Sequence, residues 1–92
     1  VGVVVLEMEV VGCSSLKEKL SRLKPFLARL HQQFNISAAE VERQDAWRQA
    51  VVACALVSND PAFTQKALQQ VVDWVESNWP DLELISQRFE LR

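Results

Sequence analysis

The segment VGVVVLEMEVVGCSSLKEKLSRLKPFLARLHQQF, residues 1–34, decides the fold, because the spacing of its apolar residues changes part-way along. From Val4 the chain alternates. Val4, Leu6, Met8 and Val10 project to one side, and Val3, Val5, Glu7, Glu9 and Val11 to the other, so Val1 to Val11 reads as a strand with one side in the core. Gly12-Cys13-Ser14 breaks that strand. Ser15-Leu16-Lys17-Glu18 then fits a capping box, with a serine N-cap and a glutamate three residues on answering each other's backbone donors. Leu16, Leu20, Leu23, Leu27, Leu30 and Phe34 follow at alternate steps of four and three, so a helix with a single apolar stripe is expected. Pro25 cannot donate to the Ser21 carbonyl and predicts a kink or a tighter turn over residues 21–25.

Outward from this segment the remaining elements fall into order. Asn35 to Arg43 suggests a short, polar strand with Ala39 and Val41 as its buried pair, and Gln44-Asp45-Ala46 a turn. Trp47 to Val57 is almost wholly apolar from Ala50, as befits a central strand covered in part on both sides. Asp60 caps a second helix with Pro61 at its first position; Phe63, Ala67, Leu68, Val71, Val72 and Val75 form the apolar side, and Asn78-Trp79-Pro80 ends it. Leu82 to Leu91 is the last strand, with Ile85, Phe89 and Leu91 alternating against Ser86, Arg88 and Glu90. Two right-handed crossovers joined by a hairpin close into a four-stranded antiparallel sheet with both helices on one face. The expected fold class is therefore α+β, a ferredoxin-like βαββαβ sandwich forming a single domain over residues 1–92.

Composition limits the function. Ninety-two residues suffice for one core, and the apolar runs are far shorter than the roughly 20 residues of a membrane helix, so no membrane partner is expected. The start shows no basic region followed by an apolar stretch and a small-residue cleavage site, so no signal peptide is expected. Cys13 and Cys54 have no paired spacing and suit free thiols in a reducing cytoplasm. The net charge of −2 conceals an asymmetry, since residues 15–34 set Lys17, Lys19, Arg22, Lys24 and Arg29 against Glu18 alone. That makes one basic helix face on an otherwise acidic domain.

No constellation supports catalysis. His31 is the single histidine and fits packing or surface better than a base or ligand, and no cluster has metal-ligand spacing, so neither metal nor cofactor is expected. Glu7 with Glu9, and Glu40 with Glu42, are same-face carboxylates that fit the polar side of strands. Gly12-Cys13-Ser14-Ser15 precedes a helix N-terminus, as the phosphate loop of acylphosphatases does, but lacks the arginine which that chemistry requires. The first strand has no aromatics to stack RNA bases, which leaves the basic helix as the place where nucleic acid would bind. The sheet side carrying Val3, Val5, Val11 and alternate residues of 51–57 would be apolar and open, so pairing through it or through a strand edge suggests a homodimer.

Ser15-Leu16-Lys17-Glu18-Lys19 after a valine-rich strand, then Phe34-Asn35-Ile36-Ser37, Ala39-Glu40-Val41, Gln44-Asp45, Trp47 and Val57-Ser58-Asn59-Asp60, together resemble the YlxP family of small bacterial proteins over nearly the whole chain. Members usually carry arginine where this chain has Leu20, and Pro25 is unusual. The resemblance implies a ferredoxin-like fold and a bacterial cytoplasmic setting. Family genes often lie beside those of translation initiation and ribosome-maturation factors, which implies an accessory role near ribosomes with ribosomal RNA or a ribosome-associated protein as partner. No catalytic residue comes with it. The motif positions Ser15, Lys17, Lys19, Glu40, Gln44, Asp45 and Trp47, together with Arg22 of the basic helix, are the candidates for a binding surface. The expected function is a non-enzymatic binding module. The alternative is a small-ligand regulatory or dimerisation module of the same topology.

Overall fold

A computed structural model describes residues 1–91. The order is β1 (Gly2–Val10), α1 (Leu16–Gln33), β2 (Ser37–Glu42), β3 (Gln49–Leu56), α2 (Pro61–Asn78) and β4 (Leu82–Leu91). The strands form one antiparallel sheet in the order β2-β3-β1-β4 with β1 and β3 central, giving the expected ferredoxin-like fold. Both helices begin as their sequences dictate. Ser15 Oγ accepts from the Glu18 N–H at 3.1 Å, and Asp60 Oδ1 accepts from Ala62 N–H and Phe63 N–H. The capping box is displaced by one residue at its return bond, because Glu18 Oε2 accepts from the backbone of Ser14, at 2.7 Å, instead of Ser15. That bond, assisted by Arg22, holds the Glu18 carboxyl below its usual range. α1 runs unbroken through Pro25 as an 18-residue helix.

The core lies between sheet and helices. Val4, Leu6 and Met8 of β1 pair row by row with Cys54, Val52 and Ala50 of β3, Val10 pairs with Leu82 of β4, and the row faces Leu23, Phe26 and Leu30 of α1 and Leu68, Val71, Val72 and Val75 of α2. Gly2 sits at the end of this row for want of space: a Cβ there would lie 2.0 Å from Thr64 Cγ2, so the glycine lets α2 approach β1. Cys54 is fully buried, and the apolar surroundings push its thiol up to about 12. A thiol raised in this way favours folding below its unfolded value, and that contribution is lost as pH rises through about 12. With Cys13 equally buried, neither thiol is expected to react with a maleimide at pH 8 until the protein unfolds; prompt labelling of native protein, read by mass spectrometry, would contradict this packing.

Four expectations about facing need correction. On α1 the buried stripe is Lys19, Leu23, Phe26 and Leu30, while Leu16 and Leu20 are exposed. The helix is rotated because Lys19 finds an anionic partner inside. On β2, Ala38 and Glu40 face the helices, whereas Ala39 is exposed and Val41 is the extra residue of a bulge. On α2, Thr64 is buried against Gly2, and Phe63 stands exposed. On β4, a bulge at Ile85 shifts the register between Glu7–Ser86 and Met8–Leu84, so Leu82 and Leu84 pack while Ile85, Phe89 and Leu91 are exposed.

The sheet's second side is less apolar than the sequence suggests. Val3 and Val5 are half-buried beside Ala53 and Ala55, and Val11 falls outside β1. At one end Arg43 Nη1 donates to Gln49 Oε1 at 2.6 Å and lies 3.8 Å from Glu7 Oε1. Val51, whose β1 partner is Glu7, is accordingly only 4% exposed.

Candidate functional site

Two motif residues 21 positions apart in the sequence meet inside the protein. Lys19, in the first turns of α1, is wholly buried, and its ammonium lies 2.6 Å from Glu40 Oε2 on β2. That oxygen is off hydrogen-bonding angles to the ammonium and has no other donor, so the contact is ionic. Lys19 Nζ instead donates to two backbone carbonyls of the β2–β3 connection, Arg43 O at 2.8 Å and Ala46 O at 2.7 Å. Burial of an ammonium is costly unless it is paired and hydrogen-bonded, and here one anion and two carbonyls surround it.

The connection that Lys19 braces is a tight turn. Ala46 N–H donates to Arg43 O at 3.0 Å, closing residues 43–46, and Arg43 adopts a left-handed backbone with φ of 57°. Lys19 therefore ties both ends of the turn to α1. From this fixed backbone Gln44, Asp45, Trp47 and Arg48 reach solvent, and Trp47 is 53% exposed. A shallow, open recess of Asp45, Ala46, Trp47, Arg48 and Gln49 lies on the outer side. Arg48 anchors the other flank, with Val10 N–H donating to its carbonyl and its Nε donating to Cys13 O at 3.4 Å.

Of the sequence-predicted residues, Lys19 and Glu40 are brought together as an internal brace, and Gln44, Asp45 and Trp47 as the exposed turn above it. Lys17 stands exposed on α1. Arg22 is drawn inward: it donates to Val11 O and pairs with Glu18 at 3.2 Å, fastening the β1–α1 turn. The expected basic face of α1 thus shrinks to Lys17, Lys24 and Arg29, with the exposed Leu16 and Leu20 among them. Arg43 and Arg48, bordering the exposed turn, were missed. A turn between two motif-bearing strands was their available signal.

The polar groups elsewhere also serve the fold. His31 Nε2 accepts from Ala38 N–H at 3.2 Å, joining α1 to β2. At the β1–α1 loop, Glu18 already takes the Ser14 N–H and Ser15 Oγ the Glu18 N–H, so those donors are occupied. Among the described residues no three His, Cys, Asp or Glu side chains come together as a metal site, and no helix is long and apolar enough to cross a membrane.

Comparison with known proteins supports the family resemblance. The chain is 34% identical over 90 residues to the uncharacterized protein YlxP of Bacillus subtilis (strain 168), covering 98% of this chain and 97% of that one. The model of a family described as protein of unknown function, DUF503, matches residues 1–89. The chain belongs to this DUF503 family, of which YlxP is a relative.

Proposed function

We propose that this protein is a non-enzymatic binding module that presents the β2–β3 turn to a partner, acting in bacteria as a cytoplasmic accessory to translation or ribosome assembly. The observation that carries the proposal is the Lys19 brace: a buried charge holds the backbone of a turn whose Trp47 is exposed. An exposed tryptophan on a pre-organised backbone loses little freedom on docking, which favours recognition. The translational setting rests on the resemblance to YlxP proteins and their gene neighbourhood.

The surface favours a ribosome-associated protein over ribosomal RNA. Trp47, Leu16 and Leu20 are exposed apolar groups, Asp45 offsets part of the charge of Arg43 and Arg48, which are tied to Gln49 and the Cys13 carbonyl, and Lys19 and Arg22 are engaged internally. Co-sedimentation of the purified protein with bacterial ribosomal subunits across a salt series tests this reading. Binding through Trp47 to a protein is expected to weaken only slightly with salt. A log–log slope of about −2 to −3 would instead mark phosphate contacts by Lys17, Lys24 and Arg29. No binding at any salt would overturn the ribosomal role.

A second reading, a small-ligand regulatory module, draws on the groove of about 270 Å³ between α2 and β4, lined by Gln65, Leu68, Phe89, Glu90 and Leu91. Its mark would be thermal stabilisation by a metabolite in protein that binds no ribosomal subunit.

A further inference from the structure

The two edges of the sheet are unequal. β2 has six residues, a bulge at Val41, an N–H donated to His31 and a glutamate drawn beneath α1, which together blunt it against pairing. β4 has ten residues and exposes Ile85, Phe89 and Leu91. Its bulge at Ile85 leaves Ser86 to Leu91 as the regular stretch.

We propose that a second copy of this chain docks on that stretch, β4 against β4 in antiparallel register about a two-fold axis at Phe89, joining two sheets into one of eight strands. The register follows from charge and side. A two-fold axis perpendicular to the sheet keeps each side continuous and sets residues of the same side opposite one another. Arg88 and Glu90 lie on the open side, opposite Val5 and Val3 of β1, and Phe89 lies on the helix side, opposite Val4. Centring the axis on Arg88 or on Glu90 sets like charges face to face. Centring it on Gln87 puts polar residues at the middle, Gln87 on itself and Ser86 opposite Arg88, and sets the bulged Ile85 opposite Phe89, where the ladder is irregular. Centring it on Phe89 sets Arg88 opposite the second copy's Glu90 twice over, and Phe89 against its own counterpart, with Leu91 opposite Gln87. Arg88 and Glu90 already pair within one strand at 3.0 Å; Arg88 is 70% exposed and Glu90 26%, so the guanidinium is the group placed to reach across the seam to the second copy's Glu90. Phe89 also borders the groove between α2 and β4, which the second Phe89 would help to close.

Sedimentation equilibrium of the full chain and three variants tests the proposal, with circular dichroism confirming the fold of each. The wild type is expected at twice the chain mass. Arg88→Glu and Glu90→Arg singly place like charges opposite each other, and each should raise the dimer Kd by about tenfold or more. The exchanged pair, Arg88→Glu with Glu90→Arg, restores both contacts and should return the Kd to within about threefold of wild type. A monomeric wild type at several hundred micromolar (roughly the limit for a weak specific dimer), single variants without effect, or a double variant as weak as the singles would each overturn the proposed seam.

Discussion

Lys19→Ala is expected to destabilise the protein by about 3–5 kcal/mol, since removing one member of a buried ion pair strands the other. Glu40, whose side chain is 11% exposed, would lose its counter-ion, and Ala46 O would lose the Lys19 donor. For a domain of this size the melting temperature should drop by roughly 15 °C or more. Thermal denaturation followed by circular dichroism reads this directly. The pair variant Lys19→Met with Glu40→Leu leaves no stranded charge and should recover most of the loss, because apolar replacement of a buried pair is often neutral or better. If Lys19→Ala cost less than about 1 kcal/mol, as surface ion pairs do, the ammonium would not be buried in solution. Recovery of stability in the pair variant need not bring back binding, because the two carbonyl contacts of the turn stay lost.

Phe26→Ala should cost a similar 3–5 kcal/mol, for a different reason: it opens a cavity. Phe26 is fully buried and meets the Trp79 ring edge-on at 5.4 Å. Trp79 lies 5.9 Å from Trp74, and Trp74 meets Phe34 edge-on at 5.8 Å. This aromatic chain joins α1 to the end of α2. Its first ring cannot be replaced by a neighbour without moving the others, so native tryptophan emission should shift to the red along with the loss in stability. Phe26→Leu, nearer in volume, should cost under about 1.5 kcal/mol and leave the emission nearly unchanged. Chemical denaturation monitored at the tryptophans separates the two variants.

How much of this was legible in the sequence depends on which interaction governed each element. β1, the caps of both helices, the extent of β4 and the βαββαβ order were readable because alternation, Ser15, Asp60 and Pro61 act locally. The facing of α1 was not. A stripe of five leucines and Phe34 outweighs one lysine in any local count, yet Lys19 is turned inward because Glu40, 21 positions away, faces it across the layers. The same pair turned β2 over, putting Glu40 inside where Ala39 and Val41 were expected. Bulges at Val41 and Ile85 reverse the side of every residue beyond them, and strand periodicity offers no sign of either. Phe63 yielded its core position to Thr64 because Gly2 admits α2 so closely that only a small side chain fits.

The candidate residues do not share the single surface that the sequence suggested. Lys17, Lys19, Arg22, Glu40, Gln44, Asp45 and Trp47 looked like one surface. Folding sorts them into an internal brace, a loop fastener and an exposed turn. Basic residues on a helix read as a polyanion surface only while their side chains stay in solvent, and Lys19 and Arg22 both find carbonyls and carboxylates of their own chain. What the sequence could not show was that a buried charge supports the turn carrying Trp47.

Co-sedimentation of the Trp47→Ala variant with ribosomal subunits, beside the wild type at one salt concentration, decides whether this turn is the recognition surface. Trp47 is largely exposed and supports no core contact, so the variant should melt within about 2 °C of wild type, as surface substitutions do. Binding should weaken on the order of tenfold or more, the cost of removing an aromatic anchor. Wild-type binding retained in full by a folded Trp47→Ala protein would contradict that role for the turn.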